Sequence, residues 1–165
     1  MLRPLTEEDW SDLARLGGVP AVARMLTSVP APWEEAAVKR WIAGAAWRGV
    51  PGFRLGVCLA DGTLIGAVGL GGTPVSAAYF LGQAHWHQGY ATEAMRGFLA
   101  ACFDWFDLGE IGAEAFDDNP ASHRVLQKLG FVRVGAGMGG SAARLEPAPI
   151  TVYRLTLTSF KAASG

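Results

Sequence analysis

Trp86-His87-Gln88-Gly89-Tyr90-Ala91-Thr92-Glu93-Ala94 (WHQGYATEA) reads as a loop turning into a helix. Gly89 and Ala91 leave the main chain bare where the first N–H groups of a helix lack an intrahelical partner, and such a place binds phosphate oxygens. Downstream, Ala91, Ala94, Met95, Phe98, Leu99, Cys102, Phe103 and Phe106 recur at helical spacing and give that helix a buried stripe. Upstream, Val75 to Leu81 reads as a strand. Beyond the helix, Ile111 to Phe116 is a second strand, followed by Asn119-Pro120, a preferred cap residue with proline at the first helical position. The helix so opened turns Ala121, Val125, Leu126 and Leu129 inward and stops at Gly130. Taken singly, each turn has a plain structural explanation: Asn119 as a cap, Ser122 as a residue facing water. Together they put two turns at the carboxyl ends of adjacent strands, where open α/β sheets bind ligands.

Around this centre the remaining elements fall into order. Thr6 opens a helix whose first turn holds Glu7, Glu8 and Asp9, with Trp10, Leu13 and Leu16 as its apolar stripe before Gly17-Gly18; a short strand at Leu2 to Leu5 precedes it. A second helical piece is expected near Val22 to Leu26, and a third helix over Trp33 to Trp47. Phe53 to Ala60 and Thr63 to Leu70 flank Asp61-Gly62, a strong hairpin signal. Phe131 to Val134 and Ile150 to Leu157 are two closing strands, joined by the Gly-rich segment Gly135 to Gly140, which is expected to be a mobile loop.

With 165 residues the chain is expected to be a single domain spanning 1–165. Half of it is hydrophobic and the mean hydropathy is +0.22, so disorder is excluded. The formal charge is −1, and there is no basic run to suit nucleic acid or an anionic membrane. The segment Gly62 to Thr92 carries no charged residue, yet its seven glycines, with Pro74, Gln83, His85 and His87, prevent a spanning helix. Cys58 and Cys102 sit in apolar runs and read as free buried thiols, which with the absence of a secretory h-region after Met1 points to a cytoplasmic location. His85-x-His87 lacks a third ligand, so no metal is expected.

At WHQGYATEA and at Asn119 to Phe131 (NPASHRVLQKLGF) the chain resembles the GNAT-type N-acetyltransferases: the first stretch looks like their pyrophosphate motif, the second like their next coenzyme motif as found in the branch that acetylates protein N-termini, ribosomal ones included. The resemblance runs over nearly the whole chain, from Leu2-Arg3-Pro4-Leu5-Thr6 onward. It implies a splayed, mixed but largely antiparallel α/β sheet of six to seven strands flanked by about four helices. It further implies acetyl-CoA as co-substrate, with pantetheine against the strand ending near Leu81. The N–H groups of His87, Gln88, Gly89, Tyr90, Ala91 and Thr92 would hold the pyrophosphate, and Asn119 would bond the pantetheine arm. The acceptor is a primary amine, either a protein N-terminus or a small molecule; a homodimer stays open.

Direct attack of an amine on a thioester needs an oxyanion stabiliser, a proton acceptor and a partner for the departing thiolate. Ser122 is the catalytic candidate for the last task, because the tyrosine that many members carry matches Leu126 here. Trp86 and His87 also depart from the family's usual Arg or Gln and Gly. Val75 to Leu81 holds no carboxylate, so proton removal is assigned to water with His85 or His87 as relay. Glu34, Glu35, Glu114 and Glu146 read as solvated, with Glu35 or Glu146 placed to meet a cationic acceptor. Trp33 and Trp41 read as core or acceptor-pocket residues, and His123 as a helix-surface residue. Gly135-Ala136-Gly137-Met138-Gly139-Gly140 formally fits a dinucleotide fingerprint, but Pro147 and Pro149 exclude the helix it needs. A non-catalytic acyl-CoA-binding sensor is the alternative function.

Overall fold

A computed structural model describes residues 1–165. Seven strands form one sheet in the order β1-β2-β3-β4-β5-β7-β6. They are β1 (Leu2–Pro4), β2 (Phe53–Cys58), β3 (Leu64–Gly71), β4 (Ser76–Leu81), β5 (Glu110–Phe116), β6 (Val132–Gly139) and β7 (Ala148–Thr156). Every neighbouring pair is antiparallel except β4 and β5. Six helices flank the sheet, against the four expected: α1 (Trp10–Gly17), α2 (Pro20–Ala23), α3 (Glu35–Ala43), α4 (Tyr90–Trp105), α5 (Pro120–Lys128) and α6 (Leu157–Ser164). No helix is long and apolar enough to cross a membrane.

The two faces of the sheet bury separate clusters. On one side Leu13, Leu16, Val38 and Trp33 pack against Leu64, Ala67 and Phe80. On the other, Met95, Phe98, Leu99 and Cys102 of α4 meet Ile65, Leu70, Ile111 and Leu155, joined by Leu126 and Phe160. Both cysteines are free and buried, and burial pushes the Cys102 thiol up to about 12. Trp33 is core, with Trp41 edge-on at 5.2 Å and the Arg54 guanidinium over Trp41 at 4.1 Å. The acidic first turn before α1 is not simply a dipole effect: Asp9 accepts two hydrogen bonds from Arg3, at 2.8 and 2.7 Å, and one from the Thr6 N–H at 2.8 Å. These bonds, those of Arg3 foremost, hold its carboxyl below the usual carboxylate range.

Three expectations are corrected. The Asp61-Gly62 turn is longer than a two-residue hairpin: Asp61 Oδ1 accepts from the Thr63 N–H, Leu59 N–H bonds Thr63 O, and a bulge at Val57/Cys58 ends the ladder early. The glycine-rich segment is not a loop. Gly135, Gly137 and Gly139 recur with the period of a strand and lie in β6, where main-chain pairing to β7 fixes them and a Cβ at Gly139 would sit 2.7 Å from Ile150 Cγ2. Finally, the chain does not end in a strand. Thr156 caps α6 by accepting from the Ser159 N–H at 3.1 Å, and Phe160 fills the core; Thr-x-x-Ser carried the signal.

Candidate functional site

Strands β4 and β5 share a single residue pair, Ser76 with Gly112, and diverge beyond it. Each is committed to its outer neighbour. β4 ladders onto β3 over six pairs, drawn in at Gly66, where a Cβ would lie 2.1 Å from the Phe80 carbonyl; β5 ladders onto β7 over seven. The V between them opens into a cavity of about 810 Å³. Tyr79 and Leu81 line it from β4, Glu114 from β5, Asn119 and Ser122 from the head of α5.

The loop entering α4 forms the cavity's upper wall. Trp86 Nε1 donates to the Leu81 carbonyl at 2.8 Å and Gln88 Nε2 to the Ala84 carbonyl at 3.0 Å, which anchor the turn. His87 at φ 61° and Gly89 at φ 84° are both left-handed and curl the chain sharply, a conformation that favours glycine and that His87 adopts despite its side chain. The helical ladder begins only with the Glu93 N–H to the Gly89 carbonyl. The N–H groups of His87, Gln88, Gly89, Tyr90, Ala91 and Thr92 therefore form a consecutive run without an acceptor in the chain, at the positive end of a 16-residue helix. His87, Gly89, Tyr90, Ala91 and Thr92 border the cavity; the Gln88 side chain is turned back to Ala84 and lies outside the wall. His85 also borders the cavity.

Asn119 does cap α5, its Oδ1 accepting from the Ser122 N–H at 3.2 Å, while its amide nitrogen makes no bond within the chain and stays available to a ligand. Ser122 does not merely face water: its Oγ lies 2.8 Å from the Tyr79 hydroxyl, across the cleft. Burial pushes the Tyr79 phenol up to about 12, with the Ser122 hydrogen bond opposing. Leu126, the position that the resemblance matches to a tyrosine, is buried.

Several site residues escaped the sequence reading. Tyr79 was hidden in an apolar strand, although alternation puts it on the same face as Ala77 and Leu81. Glu114 is exposed, as expected, but it also borders the cleft and makes no hydrogen bond or ion pair, whereas Glu35 pairs with Lys39 at 2.7 Å and neither Glu35 nor Glu146 reaches the cavity. Arg124 and Lys128, four apart on α5, bring two cations to the wall, a spacing that was readable. His123 is half-buried, with both ring nitrogens engaged. Its Nδ1 sits 2.6 Å from the Tyr153 hydroxyl and its Nε2 3.0 Å from the Phe116 carbonyl, which can only accept, so Nε2 carries the proton.

At the far end, Arg144 closes a clamp. It donates to both Asp118 oxygens at 3.0 and 2.8 Å and to the Arg24 carbonyl at 2.7 Å, and stacks on Phe116 at 4.1 Å. Arg24 adds an ion pair to Asp118 at 2.7 Å. Arg144's hydrogen bonds, and then its charge and that of Arg24, hold Asp118 below the usual carboxylate range. Glu114 is thereby the unpaired carboxylate of the cleft, since Asp118 is committed to the two arginines.

The sheet splits between two parallel strands, and a helix head with a run of unpaired N–H groups stands beside the split. Residues 1–132 match the model of the acetyltransferase (GNAT) domain, and the chain belongs to that family. Solved structures agree on the fold. Mycobacterium smegmatis RimJ in complex with CoA-disulfide has a TM-score of 0.83 at 20% identity, over 99% of this chain and 85% of that one. Spermidine N-acetyltransferase from Vibrio cholerae, in complex with CoA and spermine, has a TM-score of 0.79 at 16% identity, over 98% and 97%. A curated Bacillus subtilis (strain 168) relative, the uncharacterized N-acetyltransferase YoaA, is 41% identical over 51 residues, 31% of this chain and only 29% of its own length.

Proposed function

We propose that this protein transfers the acetyl group of acetyl-CoA to a primary amine by direct attack of the amine on the thioester. The observation that carries the reading is the run of six unpaired N–H groups from His87 to Thr92 at the head of α4, five of whose residues border the cavity between β4 and β5. The residues fit the coenzyme: that run for the diphosphate, Arg124 and Lys128 for further phosphate charge, the wall at Leu81 for the pantetheine arm and the Asn119 amide to bond it. Glu114 attracts the acceptor's ammonium, which gives one proton to solvent to become the neutral amine that attacks, and Glu114 takes the second proton as nitrogen bonds to the carbonyl carbon. Ser122 donates to the sulfur as the carbon–sulfur bond breaks.

For the acceptor we infer an amine presented from the end walled by residues 22–27 and Asp118. Structural neighbours include proteins in complex with CoA and spermine and with ribostamycin and coenzyme A, and the motif resembles the branch acting on protein N-termini, so a small amine and a peptide N-terminus are both carried forward. The cytoplasm is the compartment that two free thiols favour.

Incubating the protein with acetyl-CoA and a panel of small amines and N-terminal peptides, while following free thiol, tests the reading. Thiol release above hydrolysis with at least one acceptor is the expected result. Tight coenzyme binding with no thiol release across the panel instead supports a sensor. On the same assay Arg144→Ala is expected to raise the acceptor KM about tenfold by freeing Asp118 and the segment that Arg144 holds, with the acetyl-CoA KM within about twofold. Equal changes in both constants would reject the clamp as an acceptor wall.

A further inference from the structure

The hydrogen bond that Tyr79 and Ser122 share across the cleft has room for one hydrogen between two oxygens that carry one each. Neither hydroxyl has another partner in the chain. Whichever group accepts is left with its own O–H free to point elsewhere. A phenol is a far stronger acid than an aliphatic alcohol and the better donor, while the serine oxygen is the better acceptor. The favoured arrangement is Tyr79 O–H to Ser122 Oγ. An oxygen that accepts one hydrogen bond becomes more strongly polarised, and its own O–H donates better.

We infer that Tyr79 is a positioning residue for the acyl transfer: it donates to Ser122 Oγ, turns the serine hydrogen into the cleft and strengthens it as a donor to the departing thiolate. The inference rests on the reading of Ser122 given above and adds a residue to it. It also bears on the buried Leu126, since a phenol absent from α5 is supplied from β4 and acts through the serine instead of on the sulfur. The phenol keeps its proton at neutral pH: burial on β4 pushes it up to about 12, so it serves as a fixed donor and not as a proton source. No atom is transferred beyond those of the reaction itself. The carbon–sulfur bond breaks, the sulfur gains the electron pair, and the Ser122 hydrogen bond to it shortens.

A purely mechanical role is the competing explanation, because the same bond struts β4 against α5 over the open V. A double-mutant cycle separates the two. Tyr79→Phe keeps the ring and removes the donor; it is expected to lower kcat about tenfold, with the acetyl-CoA KM within about twofold and the melting temperature nearly unchanged. Ser122→Ala is expected to lower kcat about 100-fold, the scale of a lost acid–base contact. If Tyr79 acts through the serine, the double variant turns over as slowly as Ser122→Ala and no slower. A further tenfold loss in the double variant, or a Tyr79→Phe protein with native kcat, overturns the inference while leaving Ser122 in place. Undiminished turnover in Ser122→Ala removes the donor role itself, and Tyr79's with it.

Discussion

Thr92→Asp is expected to weaken coenzyme A binding at least 100-fold while leaving the fold intact. Thr92 is the third residue of α4, where a carboxylate interacts favourably with the helix dipole by about 0.3 to 1 kcal/mol, so the free protein keeps or slightly gains stability. The same carboxylate borders the cavity at the end of the free N–H run. There it confronts any diphosphate with a like charge; at about 5 Å and an effective dielectric constant near 20 the repulsion is roughly 3 kcal/mol per unit charge. Each 1.4 kcal/mol is about tenfold in affinity. Thr92→Asn, close in size but neutral, is expected within about fivefold of the parent, and raising the salt should narrow the gap between the two variants. Calorimetric titration with coenzyme A and thermal melts without it make the measurement. Native affinity in Thr92→Asp would mean that the helix head does not hold the diphosphate, and the proposed function would lose its support.

What a linear sequence reveals of such a site depends on how local each interaction is. The helix head was legible because capping, glycine placement and the apolar stripe of α4 are short-range features. Asn119 was legible for the same reason, and the structure shows it capping α5 while its amide nitrogen remains free. Tyr79, Glu114 and Arg144 were not legible as site residues. Tyr79 meets Ser122 across 43 positions of sequence, and Glu114 is a cleft residue only because β5 parts from β4 after Gly112. The β6 glycines misled for a different reason. Turn-like composition predicts a loop, but a partner strand 9 to 17 positions away satisfies the main chain and overrides the local preference.

The clamp at Asp118 shows how the same chain separates its carboxylates by role. Two arginines engage Asp118 and keep it ionised as a fixture of the wall, while Glu114, on β5 just before it, borders the cleft with no partner. A cationic acceptor would gain little from a carboxylate already neutralised. Under the proposed function, Glu114 is the carboxylate whose charge remains available to an incoming ammonium.

The largest loss of stability is expected from Phe98→Ala. Phe98 is 0% exposed, lies on the inner face of α4 with its ring centroid 5.6 Å from that of Phe53, and shares a cluster with Ile111 and Leu155 from the centre of the sheet. Removing a buried phenyl ring costs about 3 to 5 kcal/mol, the transfer of the ring plus the cavity it leaves. Against a typical total of about 5 to 15 kcal/mol that is a large fraction. At about 2 to 4 °C per kcal/mol for a domain of this size, the melting temperature should fall by about 6 to 20 °C. Phe98 also lies nine residues from Gly89, about 13 Å along the helix axis at 1.5 Å per residue, far enough for effects to be nearly additive. Coenzyme A at a fixed excess should therefore add the same increment of unfolding free energy to Phe98→Ala as to the parent, because that increment depends only on ligand concentration and affinity. An equal increment shows that the core sets how firmly α4 is held and the junction sets what it binds. A smaller increment in the variant would show that packing at Phe98 also shapes the amide run two and a half turns away.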